Sequence, residues 1–433
     1  MKKGIFSLSP LLLFLVVYVG TSLVAGDFLR VPITVPFLFA SVYAIAIASG
    51  PLSRRIETFS QGAGSRDMML MLWIFILAGA FATSAQVMGA VDATVNLMLR
   101  LLPSSFLLPG IFMAACFISM AVGTSCGTIA ALIPVAVGIA LQTGISAPMV
   151  CAIVVGGAYF GDNLSFISDT TIIATQTQGC RMSDKFRVNI RIVLPVAVLM
   201  LAIYYVIGLD IRVPQELPHV DVWKVLPYVV VLAAAVCGIN VMIVLAAGLA
   251  MTGIIGILDG SYDLFGWFGS MSSGMLGMGE LIIMTLLAAG MLAMIRAGGG
   301  IDYLISLLTR RIAGRRTAEF AIAALIFLIN LCTANNTVAI ITAGPIARDI
   351  SNRFRLDPRV VASILDTTCC FAQGLLPYGA QLLIASGLAS TIMERQIDPT
   401  SIVGYLYYPM GIGLAVVISI ALQRPRPAMP AQP

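Results

Sequence analysis

Two carboxylates and five Ser, Thr or Asn side chains interrupt an otherwise apolar stretch between residues 155 and 171. Carboxylate, hydroxyl and amide oxygens suit a hard cation such as Na⁺ better than they suit a transition metal. If the stretch lies at mid-bilayer, each carboxylate costs roughly 2.5–3.5 kcal/mol even on the mild insertion scale, so a function is expected for it. We therefore predict ion and proton binding here, with Asp162 and Asp169 as Na⁺ ligands, assisted by Asn163, Ser165, Ser168 and Thr170.

Three further polar segments interrupt apolar runs, at residues 123–128, 333–337 and 366–381. The last of them opens on Asp366, which we add to the ion- and proton-binding residues. Segments 149–175 and 360–390 are longer than one membrane crossing requires and Gly-rich at their centres, which indicates broken helices whose freed backbone groups line a cavity. The remaining polar side chains are predicted to form a substrate path: Thr124, Ser125, Asn335, Asn336, Thr337, Thr367, Thr368, Gln373 and Tyr378.

An alternative role for these polar residues is helix capping. Asp162, Asp169 and Asp366 could each cap a half-helix, and Ser168-Asp169-Thr170 is a good N-cap sequence. Asn335 and Asn336 are equally suited to capping and to cation ligation. No Lys or Arg lies within either polar stretch, and removal from water disfavours a charged carboxylate. Protons or bound cations are therefore the expected counter-ions.

The composition places these residues in a membrane protein. Apolar residues make up 59% of the 433 and charged residues 10%, with a mean hydropathy of +0.99, and runs near the ~20 residues needed to cross a bilayer recur along the chain. The net charge of +5 lies in short loops, which is typical of topology signals, so nucleic acid is not expected as a partner. The eight cysteines lack CxxC spacing, and His219 is the sole histidine, so no metal or haem cofactor is predicted.

Residues 89–100 resemble residues 299–310, and Val150 and Ala152 match Val360 and Ala362 at the same shift of 210. This repeat predicts two halves, residues 1–209 and 225–433, joined by an external linker at 210–224. Basic residues in the short loops orient the two halves oppositely and place both termini in the cytoplasm. We predict an all-α polytopic protein of about 10–12 transmembrane segments, with inverted-topology repeats and broken or re-entrant helices. The first helix could instead be a signal peptide, but the repeat favours its retention.

From Gly157-Ala158-Tyr159-Phe160-Gly161-Asp162 to Ser168-Asp169-Thr170-Thr171 the chain closely resembles the NhaC family of sodium/proton antiporters, within the ion transporter superfamily. Weaker similarities cover 123–128 and 365–380. The resemblance implies a cytoplasmic-membrane antiporter with Asp162, Asp169 and Asp366 in the ion and proton path. Phe166 stands where the family usually has Pro, and Asn335-Asn336 where some relatives carry Asp.

We therefore expect a Na⁺/H⁺ antiporter that works by alternating access, with no cofactor besides the transported ions. The alternative is a Na⁺- or H⁺-coupled transporter of a small organic anion or amino acid, because Asn335, Asn336, Gln373, Tyr378 and Gln381 offer a polar pocket larger than one ion needs. No catalytic His/Cys/Ser constellation is recognisable, so an enzyme is not expected. Besides Na⁺ and H⁺, the expected partner is membrane lipid; the apolar exterior is compatible with a homodimer.

Overall fold

The computed structural model describes residues 6–25, 32, 34–165, 168–211, 220–237, 239–309 and 312–424, and within these ranges it contains helices and no strand. The helices up to residue 208 are α1 (Ser9–Ala25), α2 (Thr34–Ile47), α3 (Leu52–Ala63), α4 (Arg66–Met88), α5 (Ala90–Leu101), α6 (Leu107–Val122), α7 (Ser125–Thr143), α8 (Ala147–Leu164), α9 (Asp169–Gln178) and α10 (Met182–Gly208). Those that follow are α11 (Val222–Val236), α12 (Val241–Asp259), α13 (Leu264–Gly277), α14 (Gly279–Ala297), α15 (Gly300–Thr309), α16 (Arg315–Thr333), α17 (Asn336–Phe354), α18 (Pro358–Gly374), α19 (Ala380–Met393), α20 (Pro399–Val403) and α21 (Tyr407–Leu422).

Eight helical stretches of the described residues are long and apolar enough to cross a membrane, and five shorter apolar helices accompany them. The prediction of an all-α polytopic membrane protein is confirmed. Two details differ from expectation. Residues 52–63, where basic residues indicate a loop to charge counting, form the amphipathic helix α3. Residues 264–277, rich in glycine and serine, form α13, which the search for apolar runs does not indicate.

The helix order of the first half recurs in the second, at close to the predicted spacing of 210 residues. Helices of each half also pack against helices of the other half in a reciprocal pattern. Helix α7 packs against α19 while its counterpart α17 packs against α9, and α4 packs against α13 while α14 packs against α3. Such reciprocal packing is expected of two repeats related by a two-fold rotation. The opposite membrane orientation of the halves and the domain boundaries stay predictions, and residues 212–219 of the linker, His219 included, lie outside the described ranges.

Two helix breaks stand at corresponding places in the two halves. Helix α6 ends at Gly123, which has a φ of 73°, and α16 ends at Ala334, which has a φ of 49°. Both values lie in the left-handed region, which costs a residue with a Cβ roughly 1–2 kcal/mol. In each case the next helix restarts within two residues, so the first-turn N–H groups of α7 and α17 face the gap.

Helix α8 is held against α6 by small residues on the facing sides. A Cβ at Gly161 would lie 2.2 Å from Ser119 Cβ, and one at Gly157 would lie 2.6 Å from Ala115 Cβ. The Ser119 hydroxyl also donates to the Ala158 carbonyl at 2.7 Å. This close approach fixes the last turn of α8, which carries Asp162.

Candidate functional site

The helix breaks enclose a cavity of about 290 Å³. Its wall combines the end of α8, the start of α9, the α6–α7 and α16–α17 breaks and the start of α19. Among the residues that the structure describes, no lysine, arginine or histidine lines it. The lining residues are Leu70, Met71, Ile74, Gly123, Thr124, Ser125, Cys126, Asp162, Ser168, Asp169, Thr170, Asn240, Val241, Met242, Ala334, Asn335, Asn336, Thr337, Gln373, Ala380 and Gln381.

Asp162 lies on this wall with only 4% of its surface exposed. The hydroxyl and the backbone N–H of Ser125, the first residue of α7, lie beside its carboxylate on the same wall. The positive end of the α7 dipole therefore faces the carboxylate and stabilises its charge. Capping and cavity lining, which the sequence presents as alternatives for Asp162, are combined in one side chain.

Asp169 also lines the cavity, but its side chain is exposed. It is the first residue of α9, and Ser168 is the N-cap. The Ser168 and Thr170 hydroxyls lie 2.9 Å apart beside it. Helix α8 ends before this point, so the predicted interruption between the two aspartates is confirmed, whereas Phe166 lies outside the described residues.

The second break supplies amide groups. Asn335 caps α17, its side chain accepting from the Val338 N–H at 3.0 Å, as the capping alternative predicts. Asn336 accepts from Asn330 Nδ2 at 2.9 Å through its Oδ1. Its Nδ2, on a residue only 6% exposed, has no hydrogen-bond partner among the described residues, so a buried donor is left unused beside the cavity.

A chain of amide groups joins the two breaks across the cavity wall. Gln381 Nε2 donates to Ser125 Oγ at 3.0 Å, and Gln373 Nε2 donates to Gln381 Oε1 at 3.1 Å. Gln373 Nε2 also donates to the Ala334 carbonyl at 2.9 Å. The α6–α7 break and the α16–α17 break are thus linked through two glutamines of the second half.

Several predicted site residues do not line the cavity. Asn163 Nδ2 donates to the Tyr159 carbonyl, Ser165 to the Met120 carbonyl, Thr367 to the Ser363 carbonyl and Tyr378 to the Leu331 carbonyl. Tyr378 also packs edge-on against Phe14 and Phe37. Thr368 is buried and is likewise absent from the cavity wall. The Asn163 and Thr367 bonds lie within their own helices, whereas those of Ser165 and Tyr378 reach neighbouring helices. The described contacts therefore place these side chains away from the cavity wall.

Asp366 is also separate from the cavity wall, and the structure corrects two expectations for it. It lies in the interior of α18, so it caps no helix. Its expected counter-ion, a proton or bound cation, is replaced by a lysine: Lys185 Nζ lies 2.7 Å from Asp366 Oδ2, and the two side chains are 1% and 0% exposed. The prediction that no basic side chain neutralises the aspartates is therefore wrong for Asp366.

The sequence analysis did not assign Lys185 or Asn189 to the site. Basic residues that follow a transmembrane segment are normally topology signals, so Lys185 was counted with the loop residues. Asn189 Nδ2 donates to Asp366 Oδ2 at 3.0 Å and to the Asn163 carbonyl at 2.8 Å, and Asn189 Oδ1 accepts from Ser363. A signal was present: Lys185, Val188, Asn189 and Ile192 follow the 3–4-residue spacing of one helix face. On a helix, an interior-facing Lys and Asn at that spacing indicate a buried polar partner.

Among the residues that the structure describes, no group of three or more His, Cys, Asp or Glu side chains could hold a metal ion. A cation in the cavity would therefore need neutral oxygens besides Asp162 and Asp169. Hydroxyl oxygens on the described cavity wall come from Thr124, Ser125, Ser168, Thr170 and Thr337. This set suits an alkali cation and fits the sequence prediction for Na⁺.

The family of the chain follows from its match to a known family model. The model for the Na⁺/H⁺ antiporter family matches residues 6–209 and 216–422. The chain belongs to this family. It is therefore a secondary antiporter and an integral membrane protein, and the resemblance to NhaC drawn from its motifs is confirmed.

Curated relatives differ in what their names say they exchange. The chain is 22% identical to the malate-2H⁺/Na⁺-lactate antiporter of Bacillus subtilis (strain 168), over 72% of this chain and 74% of that protein. It is 22% identical to the Na⁺/H⁺ antiporter NhaC of the same organism, over 82% and 84%. It is 23% identical to the arginine/ornithine antiporter ArcD of Halobacterium salinarum, over 89% and 85%.

One solved structure with a similar fold is the YdaH transporter of Alcanivorax borkumensis. The match has a TM-score of 0.45 and 14% identity, and it covers 90% of this chain and 97% of that one.

Proposed function

We propose that this antiporter exchanges Na⁺ for H⁺ and that the two ions compete for the Asp162 carboxylate. The observation that carries the proposal is the position of Asp162, a nearly buried carboxylate on a cavity wall whose described residues include hydroxyl and amide oxygens and no basic side chain. A carboxylate without a fixed cationic partner gains from binding a proton or a hard cation. Na⁺ and H⁺ can each provide the positive partner that the Asp162 carboxylate lacks.

Asp169 provides the second charge of the proposed site. It is exposed on the same cavity wall, close enough to Asp162 for the two charges to repel each other. A cation between or beside them relieves that repulsion. We assign Asp169 to the entry of the site and Asp162 to its base, with Ser168 and Thr170 as neutral ligands.

In this proposal, alternating access couples the movement of Na⁺ to the opposite movement of H⁺. Helix breaks in both halves meet at the cavity, which is the arrangement expected where substrate sites form between repeats. We propose that the two halves are oppositely oriented in the cytoplasmic membrane, with both termini in the cytoplasm. Thr124, Asn335, Asn336, Thr337 and Gln373 then line the path to the ion site.

The test is Na⁺-driven proton movement in proteoliposomes that contain the purified protein and no organic solute. Asp162→Asn is expected to abolish the movement while the variant remains folded. The matched control is Asp349→Asn, because Asp349 is exposed on α17 and absent from the cavity wall; this variant is expected to transport normally. Full transport by purified Asp162→Asn would refute the assignment.

A second candidate is exchange of a small organic anion or amino acid coupled to Na⁺ or H⁺. The cavity, at about 290 Å³, is several times larger than the roughly 30 Å³ share of one water molecule in the liquid. Asn336 and Gln373 line the cavity, and Asn336 Nδ2 and Gln373 Oε1, which have no hydrogen-bond partner among the described residues, leave one donor and one acceptor unused beside it. The names of two relatives, one for malate and lactate and one for arginine and ornithine, agree with such a solute.

The same proteoliposomes discriminate between the two candidates. Proton efflux on adding Na⁺ alone supports cation exchange. Movement that requires malate, lactate, arginine or ornithine supports the organic substrate, and Asn336→Leu should then abolish transport while Na⁺ binding is retained.

A further inference from the structure

The side chain of Lys185 ends in a buried cluster of oxygen atoms that lies apart from the cavity wall. Its Nζ donates to Asp366 Oδ2 at 2.7 Å, to Thr171 Oγ1 at 2.6 Å and to the Asn163 carbonyl at 3.0 Å. These three bonds use every donor of the ammonium group. The oxygens come from α18, α9 and α8, so a residue of α10 holds three other helices together.

The three ligands form a set that a monovalent cation could use. One is a carboxylate, one is a hydroxyl and one is a backbone carbonyl in the last turn of α8, where the helix dipole is negative and no intrahelical donor remains. Hard cations are bound by such oxygens. The ammonium group therefore occupies a position with the chemistry of a cation site.

The cluster also contains more acceptors than its donors satisfy. Asp366 Oδ1 has no hydrogen-bond partner among the residues that the structure describes, and Asp366 is 0% exposed. Buried acceptors of this kind are costly when unpaired. The unpaired acceptor is separate evidence that the cluster favours more positive charge than one ammonium group supplies.

We propose that this cluster is a second cation site in which the Lys185 ammonium group replaces a mobile monovalent cation. The ligand class of the site is an alkali-metal ion or a small ammonium ion. Thr171 connects the two sites, because its hydroxyl donates to the Asp162 carbonyl at 3.2 Å and accepts from Lys185. The proposal does not depend on which solute the cavity binds.

The experiment asks whether removal of the ammonium group creates a Na⁺-binding site. Thermal unfolding is measured in detergent in NaCl and in choline chloride at equal ionic strength, in an Asp162→Asn background that removes the buried one of the two cavity carboxylates. Adding Lys185→Met is expected to produce a Na⁺-dependent rise in Tm of about 2 °C or more. Adding Asp366→Asn to that variant removes the carboxylate ligand and is expected to abolish the rise.

An equal response to Na⁺ with and without Asp366→Asn would overturn the proposal. If the Lys185→Met variant unfolds in choline, recovery by Na⁺ or by methylammonium supports the site. Failure to recover in any cation, while the variant that also carries Asp366→Asn folds, would overturn it. A failure of Na⁺/H⁺ exchange in the unmodified protein refutes the proposed function and leaves this result unaffected, because the thermal assay involves no transport.

Discussion

Lys185 Nζ and Asp366 Oδ2 lie 2.7 Å apart in the interior of the protein, although 181 residues separate them in sequence. The pair carries no net charge, and Asn189 supports the same carboxylate oxygen. Asp162, by contrast, lies beside the neutral groups of Ser125. The two buried aspartates therefore have different chemistry: Asp366 has a fixed partner, whereas Asp162 has room for an exchanging one.

The first prediction concerns the stability of this pair. Asp366→Asn leaves a buried ammonium group without its counter-charge, and we expect the free energy of unfolding to fall by about 3–5 kcal/mol. Adding Lys185→Met should restore most of the loss, because the double variant buries no charge. Thermal unfolding in choline chloride measures both effects. On the same helix, the Arg181–Asp184 pair has its arginine 83% exposed, so Asp184→Asn should change stability by less than about 1 kcal/mol.

The second prediction concerns the close approach of α6 and α8. Gly161→Ala would place a Cβ 2.2 Å from Ser119 Cβ and 2.7 Å from the Met120 nitrogen. The helices must separate, which costs about 1–3 kcal/mol and displaces Asp162. We expect a lower Tm together with a weaker apparent affinity for the transported cation.

Gly269→Ala is the matched control for that variant. A Cβ at Gly269, in α13, would meet no atom within 4 Å, so its Tm should stay unchanged or rise. Equal behaviour of the two variants would contradict the packing argument.

The third prediction concerns the glutamine chain between the two breaks. Gln381→Leu removes the bonds to Ser125 and Gln373, at a cost of about 1–3 kcal/mol. Ser125 also holds Asp162, so we expect the half-saturating Na⁺ concentration to rise by about tenfold for each 1.4 kcal/mol lost at the site. Transport over a range of Na⁺ concentrations gives the value. Gln396→Leu, at an exposed residue outside the cavity, should leave it unchanged.

The fourth prediction uses a natural cysteine as a probe. Cys126 lines the cavity and is partly exposed, whereas Cys237 is exposed away from it. A small thiol reagent should modify both, and peptide mass spectrometry can follow each separately. Bound cation should slow the modification of Cys126 and leave that of Cys237 unchanged. If Cys126 reacts at the same rate with and without Na⁺ while transport is active, the ion does not bind in this cavity.

Much of the architecture could be predicted because the bilayer imposes it. Apolar run lengths fix the helices, and the polar interruptions at 123–128 and 333–337 are tolerated only where broken helices surround a cavity. The cavity indeed brings Asp162, Ser125 and Asn336 together. These residues share a local signal, namely polar groups in runs that are otherwise apolar.

The pairing of Asp366 could not be predicted in the same way. Lys185 stands among Arg181, Arg187 and Arg191, and charge counting treats all four as loop residues. Which of them turns inward depends on where α10 begins relative to α18, a tertiary relation that no local pattern contains. Tyr378 shows the converse case: it is polar and close to the break, yet its hydroxyl bonds to the Leu331 carbonyl outside the cavity wall.

The partnership of Lys185 with Asp366 also constrains how the protein is made. Chains enter the membrane from the N-terminus, so Lys185 is inserted well before its partner has been synthesised. Until α18 arrives, the lysine must remain at the membrane surface or in contact with water, because an unpaired charge in the bilayer is costly. Helix α10 therefore reaches its native position late in assembly. When the first half is expressed alone, α8 and α10 should acquire their native packing only after the second half is supplied.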